Sequence, residues 1–142
     1  MFDISNIRAG QIATFVLGGE PKMNKTIPTE DGREPNPLFG RVTRRQVQVG
    51  NVCGRETYQN KYPEAPGARN WFEWTDKPGV VRHRQTGAEY IAILPTNCTT
   101  QYFVDGREAT EEERAVIALA RPSRDEPAKF IVMKRENLEN LA

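Results

Sequence analysis

Short apolar stretches separated by glycine and proline set the pattern of this chain. Residues 11–17 (QIATFVL) are rich in β-formers and stop at Gly18-Gly19, which predicts a first strand. Residues 20–37 carry several prolines, Gly32 and mixed charge without a sustained period, which predicts an exposed loop or arm. The next stretch, 40–50 (GRVTRRQVQVG), places three arginines among valines. With side chains alternating between faces, Val47 and Val49 share a face with Arg45, Thr43 and Arg41, while Val42 falls on the other. A phase change near Arg44 and Arg45 is therefore expected, through a bulge or a first half that leaves the core. Either would turn arginines outward.

Residues 51–62 read as a short helical turn at most, and the prolines at 63 and 66 lead into the aromatic run NWFEW. The clearest hairpin signal is 80–84, a QTG turn and 88–94. Beyond Pro95, residues 99–104 predict another strand that Asp105-Gly106 ends. Thr110 followed by Glu113 fits a capping box, opening a helix that runs to about Ala120 and stops at Arg121-Pro122. Residues 129–134 predict a last strand and 135–141 a short terminal helix. The expected class is α+β: one domain over 1–142, a mostly antiparallel sheet or small barrel of about six strands, and two or three short helices.

The segments NPLFGRV (36–42) and YFVDG (102–106), together with MNK at Met23, resemble small uncharacterised proteins encoded by tailed bacteriophages. The resemblance covers roughly residues 23–106. It implies a viral origin and an antiparallel β domain, and brings with it no activity and no site residues. Such relatives would carry a more regular helix after the arginine strand, where this chain has Gly54 and paired prolines.

Composition narrows the function classes. At 142 residues, 37% hydrophobic and 27% charged, with a mean hydropathy of −0.67, the chain reads as a polar globular domain. Its apolar runs, such as 115–120, are far shorter than the about 18 residues a membrane helix needs. The first residues do not read as a signal peptide, so a cytoplasmic location is expected, the host cytoplasm if the protein is viral. Cys53 and Cys98 are a sparse pair whose spacing does not distinguish a disulfide from two buried thiols. With one histidine, His83, the sequence lacks a zinc-site cluster, and no metal or cofactor is expected.

Recognisable catalytic motifs are also missing: there is no phosphate loop, nucleophile elbow or metal-binding helix, and GGEPK at Gly18 is not followed by a helix. His83 has no nucleophile beside it and reads as a packing or hydrogen-bonding residue of the hairpin. Glu111, Glu112 and Glu113 fall in a first helical turn, where carboxylates stabilise the helix dipole. A non-enzymatic protein is expected.

The charge map is uneven. Residues 40–84 hold nine Lys or Arg against four acids, an excess of five, so in a chain of net charge +1 the remainder carries −4. The same window holds five of the twelve aromatic residues, both tryptophans included. Cations attract a phosphate backbone and exposed rings stack on bases, which is what a single-stranded nucleic-acid surface requires. The expected contact residues are Arg41, Arg44, Arg45, Tyr58, Trp71, Trp74, Arg82 and Arg84. The competing reading is a protein-interaction module, either an inhibitor of a host or defence protein or a virion component, using arginine and tryptophan as anchors.

Overall fold

The computed structural model describes residues 4–56, 71–122 and 131–142. Its strands are β1 (Ile12–Leu17), β2 (Thr26–Thr29), β3 (Gly32–Pro35), β4 (Val42–Val52), β5 (Phe72–Trp74), β6 (Val80–His83), β7 (Glu89–Val104), β8 (Arg107–Glu108), β9 (Ile131–Lys134) and β10 (Leu138–Leu141). One helix, α1 (Glu111–Ala120), and one 3-10 turn, Arg135–Asn137, complete the elements. The strands of the larger sheet hydrogen-bond in the order β10-β1-β4-β7-β6-β5, with β8 and β9 also pairing to β7, while β2 and β3 form a hairpin of their own. Each pairing with a described register is antiparallel. The mostly antiparallel α+β class therefore holds, but among the described residues there is one α-helix, not two or three.

The chain divides into two compact units, and β4 and β7 each give residues to both. The first unit draws on Met1–Val16, Val47–Cys98 and Ala128–Ala142. Its centre is the first half of β7, where Ile91, Ala92 and Ile93 are all buried. Both faces of that segment are covered, which suits its uninterrupted apolar run. Ala92 joins Cys53 and Val81 in one cluster, flanked by Phe72, Trp74 and Tyr90. Gly50 is what lets β7 come close: a Cβ there would lie 2.6 Å from the Leu94 carbonyl oxygen.

The terminal helix expected over 135–141 is replaced by the 3-10 turn and β10. Leu138 and Leu141, three apart, fit a helical spacing as well as a strand. Pairing with β1 wins because it buries Leu138 opposite Phe15, with a register shift between Thr14 and Phe15 absorbing the extra residue. Pro95, expected as a boundary, lies inside β7. The described ladders to β6 and β9 stop by Ile93 and that to β8 starts at Phe103, so a residue lacking an N–H is tolerated between them.

The second unit comprises Leu17–Gln46 and Thr99–Pro127. Its core is Leu38, Val42, Val104, Ala109 and Ile117, with Met23, Tyr102 and Val116 packed against it. The stretch expected as a loop or arm holds the β2–β3 hairpin. Asn36, buried, fixes its base: the amide Nδ2 donates to the Asn24 carbonyl at 3.0 Å and Oδ1 accepts from the Leu38 N–H at 3.0 Å. A buried amide satisfied on both sides holds a chain segment in one place. Helix α1 opens with the expected capping box, Thr110 Oγ1 accepting from the Glu113 N–H at 3.2 Å and Glu113 Oε1 from the Thr110 N–H at 2.9 Å. None of the described helices is long and apolar enough to cross a membrane.

Candidate nucleic-acid interface

Strand β4 shows no phase change. Its even positions, Val42, Arg44, Gln46, Gln48, Gly50 and Val52, are buried or half-buried throughout, and Thr43, Arg45 and Asn51 on the odd face are exposed. The two valines at 47 and 49 lie on the outer face, half-buried, and polar residues occupy the inner one. Cross-strand bonds make this workable: Gln46 Nε2 donates to Thr100 Oγ1 at 3.2 Å, and Gln48 Nε2 to the Asn97 carbonyl at 3.2 Å. The three arginines consequently divide. Arg45 is exposed, Arg44 points inward, and Arg41 lies just before the strand.

Arg41 is engaged in structure. Its Nε donates to Asp105 at 3.1 and 3.2 Å, Nη1 donates to the Pro37 carbonyl at 3.2 Å, and Nη2 completes a fork on the carboxylate. The guanidinium holds the Asp105 carboxyl below its ordinary range, and the carboxylate in turn raises Arg41. A phosphate would have to displace this pair.

In the first unit, β5 and β6 pair Phe72 with His83, Glu73 with Arg82 and Trp74 with Val81. Trp71, just before β5, is 57% exposed, and its backbone carbonyl accepts from the Arg84 N–H at 2.9 Å. Its ring lies 6.4 Å from the His83 ring at an interplanar angle of 29°. His83 in turn meets Phe72 edge-on at 5.3 Å. Its Nδ1 accepts from the N–H groups of Gln85 and Thr86 at 3.2 and 3.3 Å, so this nitrogen is occupied in shaping the turn. Arg84 is exposed. Arg82 stands 3.9 Å from Glu73, a long contact between two exposed groups that is easily exchanged for another anion.

Trp74 is placed differently, half-buried against Cys53, Val81 and Ala92. Of the eight expected contact residues, then, Trp71, Arg82 and Arg84 come together on one hairpin, with Trp74 packed inward on the same strand pair. Arg41, Arg44 and Arg45 belong to the second unit, and Tyr58 lies outside the described residues. Sequence reasoning missed the stacking role of His83, which only the 72–83 strand pairing reveals. It also missed Tyr102, which lines a recess with Arg44 and is 58 residues further along the chain. A pairing that distant leaves no local signal.

Among the described residues, no group of three or more His, Cys, Asp or Glu is placed to hold a metal ion. Cys53 is buried and Cys98 is exposed on β7. Comparisons with protein-family models, with curated proteins and with solved structures find no match for the chain, so residue geometry alone carries the functional argument.

Proposed function

We propose that the protein is a non-enzymatic binding protein, of the tailed-phage kind that its short motifs resemble, and that it holds single-stranded nucleic acid on the β5–β6 hairpin. The observation that supports this is the exposure of Trp71, stacked on His83, on a hairpin that also carries the exposed Arg82 and Arg84. A large apolar ring left 57% exposed gives up burial that folding would otherwise gain, and a base stacked on it would restore that burial. The guanidiniums of Arg82 and Arg84 on the same hairpin would take neighbouring phosphates.

The test is a titration of the full chain with a mixed-sequence single-stranded oligonucleotide at low salt, in a Trp74→Phe background so that Trp71 is the sole tryptophan. Fluorescence quenching is expected. Trp71→Ala should weaken binding by roughly 5- to 150-fold, the range for one stacked base, and Arg82→Ala or Arg84→Ala should each flatten the log–log salt dependence by roughly 0.7. Absence of quenching and of a mobility shift at tens of micromolar, a generous limit for non-specific affinity, would overturn the reading. The same exposed tryptophan and arginines would then serve as anchors for a host or viral protein.

A further inference from the structure

Arg44 stands on the inner face of β4 between Val42 and Gln46, a position that in most strands an apolar residue fills. It is half-buried, and among the described residues its Nε is buried without a hydrogen-bond partner. A buried donor left unsatisfied costs free energy and calls for an explanation. The explanation lies in what surrounds it. Arg44 opens into a recess of about 760 Å³ in the second unit, which Lys22, Arg121, Tyr102, Ala118 and Glu20 also line. The volume falls in the range of small-molecule sites.

Three of these side chains are cations and one is a carboxylate. Glu20 makes no ion pair with them among the described residues. Two cross-strand bonds fix the position of Arg44 relative to Tyr102: Gln46 to Thr100 on one side, and the Asp105 N–H to the Arg41 carbonyl at 3.0 Å on the other. Tyr102 itself packs on the apolar cluster of Leu38, Val42 and Val104. It therefore offers a supported ring wall next to the guanidinium. The carbonyl end of α1 is nearby, which by itself disfavours an anion. There the Ala120 carbonyl is already satisfied by the Asn24 N–H at 2.7 Å, and three full positive charges outweigh the remaining partial one.

From this geometry we propose that the recess at Arg44 is a binding site for an organic phosphomonoester of about mononucleotide size. The phosphate takes Arg44, Lys22 and Arg121, and the organic body lies along Tyr102 and Ala118. A phosphate fits better than a carboxylate because three separately mounted cations match a dianion with three terminal oxygens. The volume is more than a bare oxyanion needs. This site is in the second unit and the Trp71 hairpin in the first, and the proposal does not depend on oligonucleotide binding.

Calorimetric titration of the full chain with adenosine 5′-monophosphate, with adenosine and with inorganic phosphate tests it. The monophosphate should bind with a dissociation constant of roughly 1 mM or tighter, adenosine should not bind detectably, and inorganic phosphate should compete with the monophosphate. Arg44→Gln should weaken the monophosphate at least about tenfold, the loss of one charge-assisted hydrogen bond. Lys22→Gln and Arg121→Gln, at exposed positions, should show similar losses even if the Arg44 variant fails to fold. The site is refuted if the monophosphate does not bind, if adenosine binds as well as its phosphate, or if all three charge variants bind like the wild type. Trp71 quenching by oligonucleotide is a separate readout, so either proposal can fail while the other stands.

Discussion

Arg41 and Asp105, 64 positions apart, are joined twice: by the guanidinium fork on the carboxylate, and by the Asp105 N–H donating to the Arg41 carbonyl at 3.0 Å. Asp105 has φ 51, a left-handed conformation that aspartate, asparagine and glycine tolerate and most residues do not. Both side chains are about half exposed, so the charge pair itself contributes little. The backbone conformation should matter more. In thermal melts Asp105→Gly and Asp105→Asn should stay near the wild type and Asp105→Ala should melt lower; equal melting of all three would show that the turn does not need the left-handed residue. Arg41→Gln should leave oligonucleotide binding unchanged, because its guanidinium is committed to Asp105.

Thr110 and Glu113 cap α1 reciprocally, and Thr110→Ala removes one of the two bonds. A loss of about 1 kcal/mol is expected, seen as a drop of roughly 4 °C in melting temperature for a chain of this length. Ile117, the residue through which α1 reaches the core of its unit, is left in place, so the variant should remain folded at 25 °C. An unchanged melt would mean that the cap is not what starts the helix.

Acid should act on the same corner. Arg107 grips Glu113 with two bonds of 2.7 and 2.9 Å, and together with the Thr110 N–H this pulls the Glu113 carboxyl from 4.5 down to about 2. A carboxyl lowered by folding contributes stability that is complete above its unfolded value of about 4.5 and disappears as pH falls through about 2. Urea unfolding measured from pH 6 to pH 2 should show stability falling between those values, and Glu113→Gln should reduce that slope. Added salt should also shrink it, since the Arg107 side chain is 56% exposed. A variant with the same pH slope as the wild type would place the acid sensitivity elsewhere.

Much of the fold was legible wherever the signal was local. The 80–84 and 88–94 hairpin forms as β6 and β7 because its turn residues lie between its strands. The capping box of α1 needs only Thr110 and Glu113. The motifs NPLFGRV and YFVDG meet in the second unit, where Asn36 fixes the β2–β3 hairpin, Leu38, Val42 and Val104 form core, and Arg41 meets Asp105. These residues hold that unit together. The misreadings were non-local. Gln46 and Gln48 face inward because β7 supplies partners 54 and 49 residues away. Valines at 47 and 49 suggested the opposite face. Similarly, the exposure of Trp71 and the packing of Trp74 depend on β6 and β7, and two tryptophans three residues apart look alike in sequence.

Gly50 offers a direct check on the packing of β4 against β7. A Cβ at this position would stand 2.6 Å from the Leu94 carbonyl oxygen and closer still to the Ile93 side chain. The backbone oxygen cannot rotate away as a flexible side chain could. Gly50→Ala should therefore destabilise by about 1–3 kcal/mol, the usual cost of overpacking, although alanine is ordinarily better than glycine in a strand. A neutral or stabilising result in chemical denaturation would mean that the two strands can separate at that point.

The two tryptophans give the last and most discriminating prediction. Trp74 lies half-buried on Cys53, Val81 and Ala92, so Trp74→Ala should cost about 2 kcal/mol, below the 3–5 kcal/mol of a fully buried ring. Trp71 leaves more than half of its surface in water, and Trp71→Ala should change stability by no more than about 0.5 kcal/mol. Its contact with the His83 ring, at 6.4 Å, lies near the far end of the range for ring pairs and on an exposed face, so it adds little to stability. Denaturation of the two variants under one set of conditions decides whether Trp71 belongs to the fold or to the surface. If Trp71→Ala costs as much as Trp74→Ala, the ring is structural, and the case for stacking a base on it loses its support. If Trp71→Ala is neutral in stability yet loses the oligonucleotide mobility shift, the residue is held outside the core for contact with a partner.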